Sequence, residues 1–273
     1  MASGAGTAYR PRIADAELRV CLAAAGAVVI EGPKACGKTR MAQQLAASTV
    51  LLDVDIAARQ ALAVDPALVL AGPRPRLLDE WQVEPALWNQ VRRAVDAAAQ
   101  PGQFLLTGSA VPADEADRHT GAGRFSFLRL RPMTLGESGA GQGGVSLAAL
   151  LEGQPPSCAD PGLAVADLTE LVCRGGWPAQ LDRPLAAACR AARDYLEQVR
   201  QVDVQRVDDR RRDPQRLAAL LHSLARHVAT EVSVSTLAAS PALQGCPAPG
   251  SAAPLLRSLP GRGGPGWQSP ASA

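Results

Sequence analysis

Residues Gly32-Pro33-Lys34-Ala35-Cys36-Gly37-Lys38-Thr39 have the spacing G-x-x-x-x-G-K-[ST], directly after the apolar run Ala27-Val28-Val29-Ile30. That spacing belongs to phosphate-binding loops. Glycines let the backbone wrap close to phosphate oxygens, a lysine reaches the β- and γ-phosphates, and the Thr hydroxyl ligates Mg²⁺. Lys38 and Thr39 are the residues in those two positions. A second acidic site is needed to complete the metal shell and to activate water. Arg76-Leu77-Leu78-Asp79-Glu80 supplies one, an apolar strand ending in Asp-Glu. Asp79 is placed to ligate Mg²⁺ and Glu80 to act as general base on an attacking water.

The run Phe104-Leu105-Leu106-Thr107-Gly108-Ser109 ends in polar residues, and Thr107 or Ser109 at its tip would touch the γ-phosphate or the lytic water. Gly and Ser are also ordinary turn formers there. Arg124, on the loop Gly121-Ala122-Gly123-Arg124, is a candidate to balance charge on a transferring phosphoryl group, on its own subunit or a neighbour's. Arg131, before Pro132, is a second candidate. Asp53 and Asp55 fit either the nucleotide end of a sheet or a solvated turn. His119, His222 and His227 have no metal-ligand spacing. Arg200, Arg206, Arg210, Arg211 and Arg212 are interleaved with aspartates, which describes a salt-bridged face and not a phosphate-tracking patch.

Positioning these groups demands strands and helices in alternation. Helical spacing covers 14–25, a strand 27–30, and a helix 38–47 after the glycine loop. A strand at 50–54 precedes helix 56–63; a strand at 76–79 precedes helix 85–99, where Leu87, Val91 and Val95 recur every four residues. Strands at 104–107 and 125–128 follow. The expected fold is α/β, a parallel, doubly wound sheet flanked by helices over 1–135, with the phosphate loop after its first strand. Residues 136–162, rich in Gly, Pro and Ser, read as a linker, and 163–239 as a helical module with helices at 165–173, 185–207 and 214–228. A further small element at 232–239 would carry Ser at a helix N-cap.

With 273 residues, 47% apolar but 3% aromatic, the chain must build its cores from Ala, Leu and Val. A net charge of +2 names neither nucleic acid nor membrane as a partner. Six cysteines without C-x-x-C pairs, and no secretory signal, read as reduced thiols in a cytoplasmic protein. The apolar stretch 20–30 is too short to span a bilayer. After Glu231 there is no acidic residue, and 241–273 holds seven prolines and six glycines. That abrupt change reads as a disordered tail over 240–273, natural or the product of a frameshift near residue 239.

Taken together these residues resemble the bacterial and archaeal AAA-type ATPases that carry a C-terminal domain of unassigned function. The landmarks are Tyr9-Arg10-Pro11-Arg12, Val28 to Thr39, Leu52-Asp53-Val54-Asp55, and Leu78-Asp79-Glu80-Trp81-Gln82. Leu106-Thr107-Gly108-Ser109, Gly121 to Arg124, Arg129 to Met133 with Glu137, and Gly175-Gly176-Trp177-Pro178 complete them. The resemblance covers about residues 9–239. It implies a P-loop NTPase (RecA/AAA-like) ATPase core using ATP and Mg²⁺, then the helical module, whose winged-helix-like part would begin near Glu231. Homo-oligomers and a DNA or protein partner are compatible with it. Two other functions fit the same loop, a nucleotide-gated DNA-associated regulator with little turnover and a small-molecule kinase.

Overall fold

The computed structural model describes residues 8–108, 121–141, 145–156, 160, 162–203 and 213–238. Its chain divides into two units, one up to Arg193 and one from Asp194.

The first unit is built on five parallel strands in the spatial order β2-β3-β4-β1-β5. Helix α1 (Ala14–Ala24) leads into β1 (Ala27–Glu31), the glycine loop and α2 (Lys38–Gln43). Then come β2 (Ser48–Leu51), α3 (Ile56–Val64), α4 (Pro66–Leu70) and β3 (Arg76–Asp79). A 3-10 turn at Trp81–Val83 precedes α5 (Leu87–Ala98), β4 (Phe104–Gly108) and β5 (Phe125–Arg129). The short helices α6 (Leu135–Ser138) and α7 (Leu147–Leu151) occupy the stretch expected as a linker, followed by α8 (Val165–Arg174) and α9 (Leu185–Gln198).

Both faces are covered over the inner strands β1, β3 and β4, which read as near-continuous apolar runs, while the edge strands β2 and β5 alternate between buried and exposed residues. The pleat still sorts them. Ala27, Val29, Leu78, Phe104 and Leu106 point into a core with Trp81, Leu87, Trp88, Val91 and Val95. Val28, Ile30, Leu77, Leu105 and Leu128 point the other way, into a core with Leu18, Leu22, Met41 and Ala42. On the first face Trp88 stacks on Phe125, ring centroids 4.0 Å apart and planes 6° from parallel. Gly26 is required there, since a Cβ would come within 2.3 Å of a Val95 methyl.

Two local differences from the sequence reading have clear causes. The second strand ends at Leu51, because the chain turns there, Val54 and Asp55 N–H donating to the Leu51 carbonyl at 3.3 and 2.8 Å, and Asp55 caps α3 through Ala58 N–H at 2.9 Å. The extra helix α4 starts on Pro66 after Asp65, whose carboxylate accepts from Ala67 N–H, a favourable cap and first-turn pair.

In the second unit α10 (Pro214–Ala225) is capped by Asp213 and pairs with α11 (Val234–Ala238). Ser223 donates to the Leu237 carbonyl at 3.4 Å, and Leu217, Leu220 and Leu237 are buried. Ser233 accepts from Thr236 N–H at 3.0 Å, as expected for an N-cap of this last helix.

Candidate functional site

A parallel sheet brings the carboxyl ends of its strands to one edge, where crevices open between them. Leu51, Asp79, Thr107, Ile30 and Leu128 form one row across this sheet near that edge. The glycine loop after Ile30, the pair Asp79-Glu80 and the tip Thr107-Gly108 therefore converge although they are far apart in sequence.

Strand parity then sorts the side chains. Asp79 lies two residues past Leu77, and Thr107 two past Leu105, so both project to the face that carries α2. There Thr39 Oγ1 donates to Asp79 Oδ1 at 2.8 Å, and Thr107 Oγ1 donates to the same oxygen. Asp79, Thr107 and Lys38 are all buried.

The loop has the backbone that its glycines allow. Gly37 has φ 103° and Ala35 φ 61°, both in the left-handed region. Gly32 lies against the backbone just past β5, for a Cβ there would sit 2.1 Å from the Leu130 carbonyl oxygen. Lys38 Nζ turns back on the loop and donates to the carbonyls of Gly32 and Pro33, each at 3.0 Å. A phosphate entering the loop would take over these donors. Cys36 is fully buried with Sγ 3.7 Å from the Leu130 carbonyl. Burial pushes its thiol pKa up, against the pull of Lys38 and Arg12, which makes it a packing group and not a nucleophile.

Glu80 begins the turn after β3 in the left-handed region, φ 54° and ψ 42°. That conformation directs it off the strand, and its carboxylate accepts from Gln82 Nε2. The Gln82 amide packs over the tip of β4, where a Gly108 Cβ would meet Gln82 Oε1 at 2.3 Å.

Mg²⁺ keeps several waters and takes one or two protein oxygens plus phosphate oxygens. A hydroxyl and a carboxylate 2.8 Å apart beside a phosphate loop are a hard-oxygen donor set of that kind. Among the described residues no group of three or more His, Cys, Asp or Glu is arranged for a metal.

Other expected site residues lie elsewhere. Arg124 sits at the amino end of β5, its carbonyl accepting from Ala27 N–H at 3.0 Å. Its guanidinium pairs with Asp96 at 2.7 Å, on the sheet edge opposite the glycine loop. About 16 Å of strand, five residues of β1, separates the two edges. Arg131 is on the loop's own edge, exposed, just past β5. Asp55 is a helix cap and Asp53 is exposed. Ser109 and His119 lie outside the described residues, as do 204–212 and the expected tail at 240–273.

Two residues behind the loop carry no motif signal of their own. Arg12, 7% exposed, donates to the carbonyl of Cys36 at 3.0 Å and to that of Arg131 at 2.7 Å, and pairs with Glu137 at 3.1 Å. Trp177 donates its indole N–H to the Lys34 carbonyl at 3.1 Å. Only their place in the resemblance, Tyr9 to Arg12 and Gly175 to Pro178, pointed to them beforehand.

The sheet, the loop between β1 and α2, and the acidic end of β3 define an α/β fold of the P-loop NTPase kind. Residues 24–138 match a protein family described as an AAA domain, and residues 165–245 a family described as a domain of unknown function (DUF8612). Uncharacterized proteins of Mycobacterium tuberculosis and Mycobacterium bovis are each 31% identical over 137 residues, covering 47% of this chain and 30% of the relative. The chain thus matches less than a third of the length of these relatives. The AAA match supports nucleotide binding of the AAA type by the first of the two regions. Among the described residues no helix is long and apolar enough to cross a membrane.

Proposed function

We propose that the chain binds ATP with Mg²⁺ in the loop 32–39 and hydrolyses it. The observation that carries this reading is the pairing of Thr39 and Asp79, a hydroxyl and a carboxylate from two distant segments joined beside the loop. Backbone N–H groups of the loop and its first helical turn, with Lys38 Nζ released from the Gly32 and Pro33 carbonyls, hold the phosphates. Thr39 Oγ1 and Asp79 would hold Mg²⁺, which when bound neutralises charge growing on the phosphate oxygens. Thr107 keeps Asp79 oriented through its hydroxyl. Glu80 accepts a proton from the attacking water at a carboxylate oxygen, and Gln82 orients that carboxylate by donating to Oε2.

Arg131, exposed just past β5 on the loop's own edge, would meet charge on the same chain's nucleotide, whereas Arg124 would serve only a neighbouring subunit. The role of residues 165–245 and any partner they engage belong to the same proposal, with the region acting as the part that the ATPase core drives.

The test is nucleotide binding and turnover by the purified chain beside Lys38→Ala. Loss of binding in the variant, with turnover by the parent requiring Mg²⁺ and no added acceptor, supports the reading. Unchanged ATP affinity in Lys38→Ala overturns it.

A further inference from the structure

The Gly175–Pro178 turn, between α8 and α9, lies directly on the phosphate loop. Met133 N–H donates to the Gly176 carbonyl at 2.7 Å. The approach is so close that a Cβ on Gly176 would lie 2.2 Å from the Met133 carbonyl oxygen. Gly175 turns the chain with φ 71°, which favours glycine. Arg174, at the end of α8, donates to the carbonyls of Gln180 and Leu181 at 3.1 and 3.3 Å and to that of Arg183, so the turn is stitched at its base.

Held in this way, the turn presents two side chains to the loop. Trp177 Nε1 donates to the carbonyl of Lys34, and Pro178 Cγ is 3.6 Å from where a Gly37 Cβ would stand. Lys34 and Gly37 bracket Ala35 and Cys36, and Ala35 and Gly37 carry the loop's left-handed backbone. The Cys36 carbonyl is fixed on the other side by Arg12. The carbonyls of Lys34 and Cys36 are thus both held by donors from outside the loop, while within it Cys36 N–H donates to the Pro33 carbonyl at 3.4 Å. A residue of the region that matches the second family thus touches the loop of the region that matches the first.

We propose that Trp177 is a positioning residue for the phosphate loop, its indole N–H fixing the Lys34 carbonyl so that affinity for nucleoside triphosphate depends on the seating of the Gly175–Pro178 turn. This rests on the nucleotide reading of the loop. The coupling is reciprocal, since whatever favours the seated turn favours bound nucleotide and the converse.

Trp177→Phe keeps an aromatic ring and removes the N–H. Titration of the full chain with a non-hydrolysable ATP analogue and Mg²⁺ should show affinity about 3- to 10-fold weaker, as for loss of one neutral hydrogen bond. The apo melting temperature should fall by no more than about 6 °C, the cost of the same single hydrogen bond in a chain of this size, so that the variant is folded in the titration. Unchanged affinity in Trp177→Phe, with binding abolished in Lys38→Ala, overturns the positioning role and leaves the nucleotide reading standing. Binding that survives in Lys38→Ala overturns that reading itself. Should Trp177→Phe not fold, hydrogen exchange on the parent decides. The same analogue should slow exchange in 175–181 as well as in 32–39, and protection confined to 32–39 overturns the proposal.

Discussion

Thr39 Oγ1 and Asp79 Oδ1 meet at 2.8 Å although β4 stands between the strands that precede them. The pairing depends on parity and direction together. Asp79 faces the α2 side because it lies two residues past Leu77, and it is near the loop because all five strands run the same way.

The two donors on Asp79 should separate on mutation. Thr39→Val should raise the Mg²⁺ concentration needed for half-maximal turnover about tenfold while metal-free nucleotide binding persists, a shift that titration of the rate with Mg²⁺ reads. Thr107→Val should cost about 1–3 kcal/mol of stability, because it strips a donor from a buried carboxylate; urea denaturation measures it, and Thr107→Ser should recover most of the loss.

Glu80 and Lys38 should fail differently. Glu80→Gln keeps the shape and the nucleotide affinity but removes the proton acceptor, so turnover should fall about 100-fold or more. Equal losses of affinity and turnover in Glu80→Gln would mean that this carboxylate only shapes the site.

Acid should loosen the back of the loop. Burial alone would raise the Glu137 pKa, but the N–H groups of Thr134 and Ile13 and the Arg12 guanidinium outweigh it and hold the carboxyl below its ordinary range. On acidification the unfolded chain therefore binds the proton first. The stabilisation is full above the ordinary value of about 4.3 and is lost as pH falls through the lower folded value. Glu137→Gln should be less stable at neutral pH and should show a flatter stability curve below about pH 4.3, followed by denaturation at stepped pH.

Arg124 is predicted to act, if the chain associates, across a subunit boundary. Mixing Arg124→Ala with Lys38→Ala should then restore turnover that neither variant has alone, since one contributes an intact site and the other an intact arginine. No gain on mixing, at concentrations where light scattering finds oligomers, excludes that role. Within one chain its bond to Asp96 joins two exposed groups and should contribute little to stability.

Much of the site was legible because its parts are local. The loop 32–39 is a contiguous string, and β3 and β4 are apolar runs broken by the polar residue that matters, Asp79 or Thr107. What could be read less well was anything fixed by packing. Asp53 and Val54 read as strand, yet the chain turns there on the Leu51 carbonyl. Arg124 reads as a loop arginine near the site until the direction of β5 puts it on the far edge. Gln82 enters the sequence reading only as a landmark of the resemblance, and its bond to the Glu80 carboxylate emerges from the fold.

By itself the sequence determined the alternation of strands and helices, the phosphate loop and the acidic strand end, because periodicity, turn chemistry and a short motif act over neighbouring residues. Only the tertiary structure decided which carbonyls the loop has to spare. Arg12 reaches Glu137 across 125 positions and Trp177 reaches Lys34 across 143. Contacts over such separations are set by strand order and by the close approach of backbones at Gly32 and Gly176, which no local pattern of residues encodes.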